Sequence, residues 1–167
     1  MDKHDLSLTM AGHPFVVSED LLAQAAPGCL DASQAALVPL LQGGGGALFL
    51  ATDVAEVVCH HVPVFPGCFL CQWTEDDGSD ACLALVVRII LLREEESGGQ
   101  GDLWVVLSQM PGIPASRDQL CVSADKWQRY AADDTQRVTA YVRFQDLSFC
   151  ILHQHTVDGA YLFLPEP

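Results

Sequence analysis

Positive charge is scarce in this chain. Only 8 of the 167 residues are Lys or Arg, against 22 Asp and Glu, for a formal net charge of −14 at pH 7. A nucleic-acid surface needs clustered Lys and Arg to displace the counterions of the phosphates. No such cluster occurs, so tight nucleic-acid binding by this chain alone is not expected. Long apolar runs are missing too. The longest, ACLALVVRIILL (81–92), is interrupted by Arg88 and is too short to span a bilayer. The opening MDKHDLSLTM has no apolar stretch of the kind a secretory signal carries. Cytoplasm or nucleus is therefore the expected compartment, with no membrane partner. The seven cysteines are expected as free thiols packed like small hydrophobes.

The fingerprints of common catalysts are absent as well. There is no GxSxG, no HExxH and no dinucleotide-binding glycine pattern. The glycine run at residues 43–46 is followed by GALFLA rather than Lys-Ser/Thr, so it reads as a flexible joint and not as a phosphate loop.

What is present is a core. Half the residues are apolar, and the length is that of one domain. The expected fold is α+β: a single domain with a mainly antiparallel or mixed β-sheet and two or three short helices. Residues 1–13 read as a flexible N-terminal tail and residues 14–167 as the domain. Within it, residues 14–46 form a helical lead-in ending in the glycine run, and residues 47–167 a β-rich core. Ser18 is placed to cap SEDLLAQAA, and Asp31 and Gln34 have capping-box spacing ahead of DASQAALVPLLQ, where Pro39 forces a kink or an early stop. TDVAEVVCHHV fits a short helix or a strand. CFLCQWT (68–74), ACLALVVRIILLR (81–93) and LWVVLSQ (103–109) read as strands joined by the acidic loops EDDGSD and REEESGGQGD. MPGIPASRD reads as a loop, and Ser123 caps ADKWQRYAA. In RVTAYVRF, Val138, Ala140, Val142 and Phe144 share one face. SFCILHQH (148–155), a turn at Asp158-Gly159 and YLFL close the chain. Charge is uneven: residues 1–102 hold fifteen acids against Lys3, Arg88 and Arg93, and residues 103–167 hold seven acids against five bases.

CHHVPVFPGCFLC (59–71) is the densest set of metal-capable side chains, and Cys59, His61, Cys68 and Cys71 are its candidate zinc ligands. A zinc knuckle aims both sulfurs of a CxxC inward from a tight turn. Cys68 and Cys71 instead flank a segment that reads as a strand, where positions three apart point to opposite faces. A thioredoxin-like use needs a helix start, which CFLCQWT does not resemble. His153 and His155 share a strand face with Phe149 and Ile151, a mixed face and not a catalytic one. The acidic loops lack the register of a calcium loop and read as solvated tips. Trp73, Trp104 and Trp127 read as packing residues. No cofactor and no resident metal are expected, and the chain is not expected to be an enzyme.

The C-terminal elements are generic strands and turns, but their order can be compared. A strand (LWVVLSQ), a loop, a helix (ADKWQRYAA), a strand (Arg137–Phe144), the Gln145-Asp146 turn, the strand Ser148–His155, then Gly159 and Pro165 follow one another. This order resembles the C-terminal half of the small non-catalytic subunits of the eukaryotic tRNA-splicing endonuclease, over roughly residues 103–167. Ile151-Leu152-His153 stands where that family has adjacent tyrosines, and the first hundred residues have no counterpart in it. The resemblance implies a non-catalytic structural subunit that pairs with a protein partner through its C-terminal strands, as a hetero-oligomer in tRNA processing. Tyr141, Arg143, Phe149, Ile151, His153 and Tyr161 are the candidate interface residues on those strands. Two other expectations stand beside it. One is a self-contained acidic binding module, a chaperone or inhibitor that captures a basic protein. The other is a zinc or thiol enzyme built on residues 59–71.

Overall fold

In the computed structural model the described residues are 6–24, 34, 36–73, 81–96, 101–114, 120–133, 135 and 137–165. Their spine is the apolar run read above. It forms β6 (Cys82–Glu94), which pairs antiparallel with β7 (Asp102–Pro114) along most of its length, from Leu92 opposite Asp102 to Leu83 opposite Met110 and Cys82 opposite Pro114. The other edge of β6 is shared. Residues 90–94 face residues 49–53 of β3 (Phe49–Cys59), and residues 82–85 face residues 69–72 of β5 (Phe69–Trp73). A strand covered on both faces has no need to alternate, which is why this run is apolar nearly throughout.

Three register shifts interrupt the pairing: one lies at Cys82/Leu83 in β6, and two others set which side chains face the core. In β6 the register slips between Val86 and Arg88, so Val87 is extra. Ala84 and Val86 before the slip and Ile89 after it therefore all face the interior. Val87 is left 52% exposed, and Arg88 points outward onto Asp53, with Nε–Oδ1 at 2.6 Å and Nη2–Oδ2 at 3.2 Å. In β3 the slip falls between Val54 and Glu56, opposite Met10 and Thr9. Val54, Val57 and Cys59 consequently share the inner face.

β3 carries further strands on both edges. β1 (Leu6–Met10) and β2 (Phe15–Val17) lie along one edge, and β4 (Val62–Val64) folds back on the other. β8 (Leu120–Ser123) leads into helix α2 (Ala124–Ala132). β9 (Val138–Arg143) pairs with β7, and a 3₁₀ turn at Phe144–Asp146 sends the chain into β10 (Ser148–Val157), which pairs with β5. β11 (Ala160–Pro165) returns along β10 and pairs with β8. Among the described residues, eleven strands make one antiparallel sheet with the short helices α1 and α2, an α+β fold.

One face of the sheet carries the main core, drawn from β3, β4, β5, β6, β7 and β10 together with Phe144 and Leu147. The opposite face carries two smaller clusters. Val17, Leu22, Leu37, Leu41, Ala51, Ile90, Leu92 and Val106 form one, under the N-terminal segment. Cys71, Leu83, Met110, Tyr130 and Leu152 form the other, under α2. The Ser123 Oγ accepts the Lys126 N–H at 3.3 Å and caps α2. The Ser18 Oγ accepts the Leu21 N–H at 3.0 Å at the start of α1 (Glu19–Gln24).

Several sequence expectations are corrected. Residues 6–10 are not a loose tail: they pair with β3, because Leu6 and Leu8 pack on the inner core. The helical lead-in also contains a strand, β2. Of the two readings of TDVAEVVCHHV, the strand is the one formed, up to Cys59. Met110 to Pro114 continue β7 and are not loop, and β8 was not foreseen. Val138 sits at a strand end and is 49% exposed, so it does not share the burial of Ala140, Val142 and Phe144. Within DASQAALVPLLQ the described structure is chiefly a 3₁₀ turn, Val38–Leu40, around Pro39. Residues 25–33 and 35, the loop EDDGSD and residues 97–100 of the second acidic loop lie outside the described residues. Among the described residues, no helix is long and apolar enough to cross a membrane.

Candidate functional site: an apolar notch at an open strand edge

The stretch CHHVPVFPGCFLC is two turns and the strands they join. His60 and His61 have φ of 50° and 66°, so β3 and β4 are joined by a two-residue turn of the I′ type. Phe65 to Cys68 is the second turn. The Cys68 N–H donates to the Phe65 carbonyl at 3.1 Å, and Gly67 at φ 100° takes the position that a type II turn reserves for positive φ, with Pro66 before it. The Gly67 N–H and the Val86 N–H then tie this turn to β6, at 2.7 Å to the Val86 carbonyl and 2.9 Å to the Cys68 carbonyl.

The four zinc candidates are dispersed by these turns. Cys59 and Cys68 lie in the inner core, Cys71 lies in the cluster under α2 on the opposite face, and His61 is exposed on the turn. The separation of Cys68 and Cys71 follows from strand alternation. Among the described residues, no group of three or more His, Cys, Asp or Glu is placed to hold a metal ion. Burial pushes the Cys68 thiol above the usual thiol range and does the same for Cys82, a direction that disfavours the reactive thiolate.

The six candidate interface residues also divide. Phe149 and Ile151 are each 6% exposed and belong to the inner core. Tyr141 packs against the N-terminal cluster. The Arg143 guanidinium lies 5.3 Å from the Trp104 ring centre. Tyr161 packs 5.9 Å from Trp127, which in turn meets Phe69 edge-on at 5.3 Å. His153 is exposed.

His153 stands at the point where β10 changes character. Up to Leu152, β10 is flanked by β5. Beyond it, among the described residues, no strand pairs with β10 on that side, and residues 153–157 pair only with β11. All five are exposed. The Val157–Ala160 pair closes a two-residue turn and is the hydrogen-bonded kind, so Val157, His155 and His153 spend their main-chain groups on β11. The main-chain N–H and C=O of Gln154 and Thr156 therefore point to the open side.

At the foot of this open edge is a cavity of about 250 Å³, lined by Pro63, Phe65, Gly67, Cys68 and Phe69 from the turn and by Ile151, Leu152, His153 and Gln154 from β10. It contains no acid and no base other than His153. Phe65 forms part of its wall and is 41% exposed. Sequence reasoning named Cys68, Ile151 and His153 but missed Phe65 and Pro63. The signal available was VPVFPG, an apolar pair of residues held at a Pro-Gly turn. No protein-family model, no curated protein and no solved structure matches this chain.

Proposed function

We propose that the chain is a non-catalytic subunit or adaptor that assembles with a protein partner through its C-terminal strands. The observation that supports this best is the open edge of β10 with the apolar notch beneath it. A strand with unpaired main-chain groups is a template for another chain. Dispersal of the thiols and histidines of residues 59–71 removes support from the zinc or thiol enzyme. In its narrow form, which rests on the C-terminal element order, the partner is a subunit of the tRNA-splicing endonuclease. The net charge of −14 favours a basic partner, and this also supports the acidic binding module as a second reading.

Affinity isolation of the cross-linked full chain from its source cells tests the proposal. A protein recovered in stoichiometric amount is expected, and its loss is expected when the Gln154–Thr156 edge is blocked. Recovery of no stoichiometric partner would sink it. Co-expression with endonuclease subunits tests the narrow form, which fails if no complex elutes on size-exclusion chromatography.

A further inference from the structure

We infer that the open edge of β10 and its notch form a strand-addition site for an extended, basic segment of a partner protein, anchored by one large apolar side chain. This rests on the proposed function and specifies the partner's chemistry. The geometry of the added strand is already displayed by β5, which runs antiparallel to β10 from Trp73 opposite Ser148 to Phe69 opposite Leu152. There the chain turns away at Pro66-Gly67. An incoming strand laid on the same line past Leu152 meets the outward main-chain groups of Gln154 and Thr156, with the strand spacing β5 already sets.

The notch sits where that strand begins. At about 250 Å³ it is smaller than a drug-sized ligand pocket and suits a single side chain. Phe65, Pro63 and Ile151 give it apolar walls. A side chain entering it would come from alternate positions of the added strand, since only one face of that strand meets the notch. The open stretch of five residues limits the segment to about that length. Charge then selects the occupant. With a net charge of −14, a second copy approaches against like charge, whereas a segment carrying Lys or Arg on its other face is drawn in.

The test uses the full chain, immobilised and panned with a phage-displayed library of random twelve-residue peptides. The expected pool alternates a large apolar residue with Lys or Arg. The leading synthetic peptide is then titrated by fluorescence anisotropy. Thr156→Pro removes one outward N–H at an edge position that tolerates proline, and Phe65→Asp puts a charge on the notch wall at an exposed site. Each is expected to weaken binding about ten-fold or more, with the denaturation midpoint unchanged. Raising the salt is expected to weaken it further. An acidic pool, no enriched pool, or a peptide indifferent to both variants overturns the inference. If Thr156→Pro does not fold, Phe65→Asp decides alone. Concentration-dependent dimers of the free chain, abolished by either variant, would make a second copy the occupant and also overturn it. A cellular partner that both variants retain leaves the proposed function standing and removes this site. Absence of any cellular partner removes the proposed function, while the peptide titration still judges the edge.

Discussion

β10 is one strand in two environments. Residues 148–152 lie against β5, and Phe149 and Ile151 point into the inner core. Among the described residues, residues 153–157 pair with β11 alone, and all five are exposed. The alternation does not change: Phe149, Ile151, His153, His155 and Val157 follow one another on the same face. What changes is the cover over that face, which ends with the turn at Pro66-Gly67, and side-chain polarity switches with it at His153. A strand that leaves its sheet in this way keeps its backbone order through one neighbour and offers the other edge to solvent or to a second chain.

Truncating a side chain in each half of β10 should have very different effects. Phe149→Ala should cost about 3–5 kcal/mol, because it opens a cavity beside Phe144, whose ring centre is 5.9 Å away. His155→Ala should stay within about 0.5 kcal/mol of the wild type. Urea denaturation of both variants decides it; equal losses would mean that the outer half is covered after all. The turn that ends the cover comes next. Gly67→Ala places a Cβ at φ 100° with nothing within 4 Å to meet it, so its cost is purely conformational, about 1–3 kcal/mol. His61→Gly at φ 66° should go the other way, a gain of up to about 1 kcal/mol, measured by the same denaturation. A loss there would show that the histidine side chain holds the turn.

Cys68, in the wall of the notch, gives a smaller and pH-dependent effect. Burial raises its pKa in the folded chain, so the folded state holds the thiol proton to higher pH than the unfolded state does. This contribution is whole below the unfolded thiol's pKa, at about 8.5, and is lost as pH rises through the folded value. Stability should therefore fall on the alkaline side, and Cys82 acts in the same direction. The Cys68→Ala/Cys82→Ala variant should flatten that fall in denaturation midpoints taken from pH 7 to about 10. An unchanged slope would mean that other groups cause it. The smallest effect is expected far from the notch. Trp104 Nε1 is buried with no hydrogen-bond acceptor among the described residues, so Trp104→Phe removes that donor together with part of the surface under Arg143. Its net change should be under about 1 kcal/mol, by thermal denaturation.

How much of this was legible in the sequence differs from element to element. β5, β6, β9, β10 and α2 announced themselves through β-branched runs, alternation and the Ser123 cap. β3 did not. Its bulge sets Val54 and Val57 three apart on one face, and three is the helical spacing, so a helix was an equal reading of TDVAEVVCHHV. β1 was misread as tail because a short, half-polar strand is stabilised by its partner and not by its own composition. The notch was the least visible. Its walls come from residues 63–69 and 151–154, and no local pattern records that a turn and a strand eighty residues apart in sequence will meet.

The α+β class, the strand character of the C-terminal half, and the opposite orientation of Cys68 and Cys71 are written in the local residue pattern. Each rests on local stereochemistry, the period of two along a strand and the residues a turn or cap requires. Only the tertiary structure decided which faces are covered. It placed Phe149 and Ile151 inside and left His153 at an open edge, because burial depends on which distant segments arrive to exclude water. The dispersal of the thiols was local; the notch that replaced them as the candidate site was not.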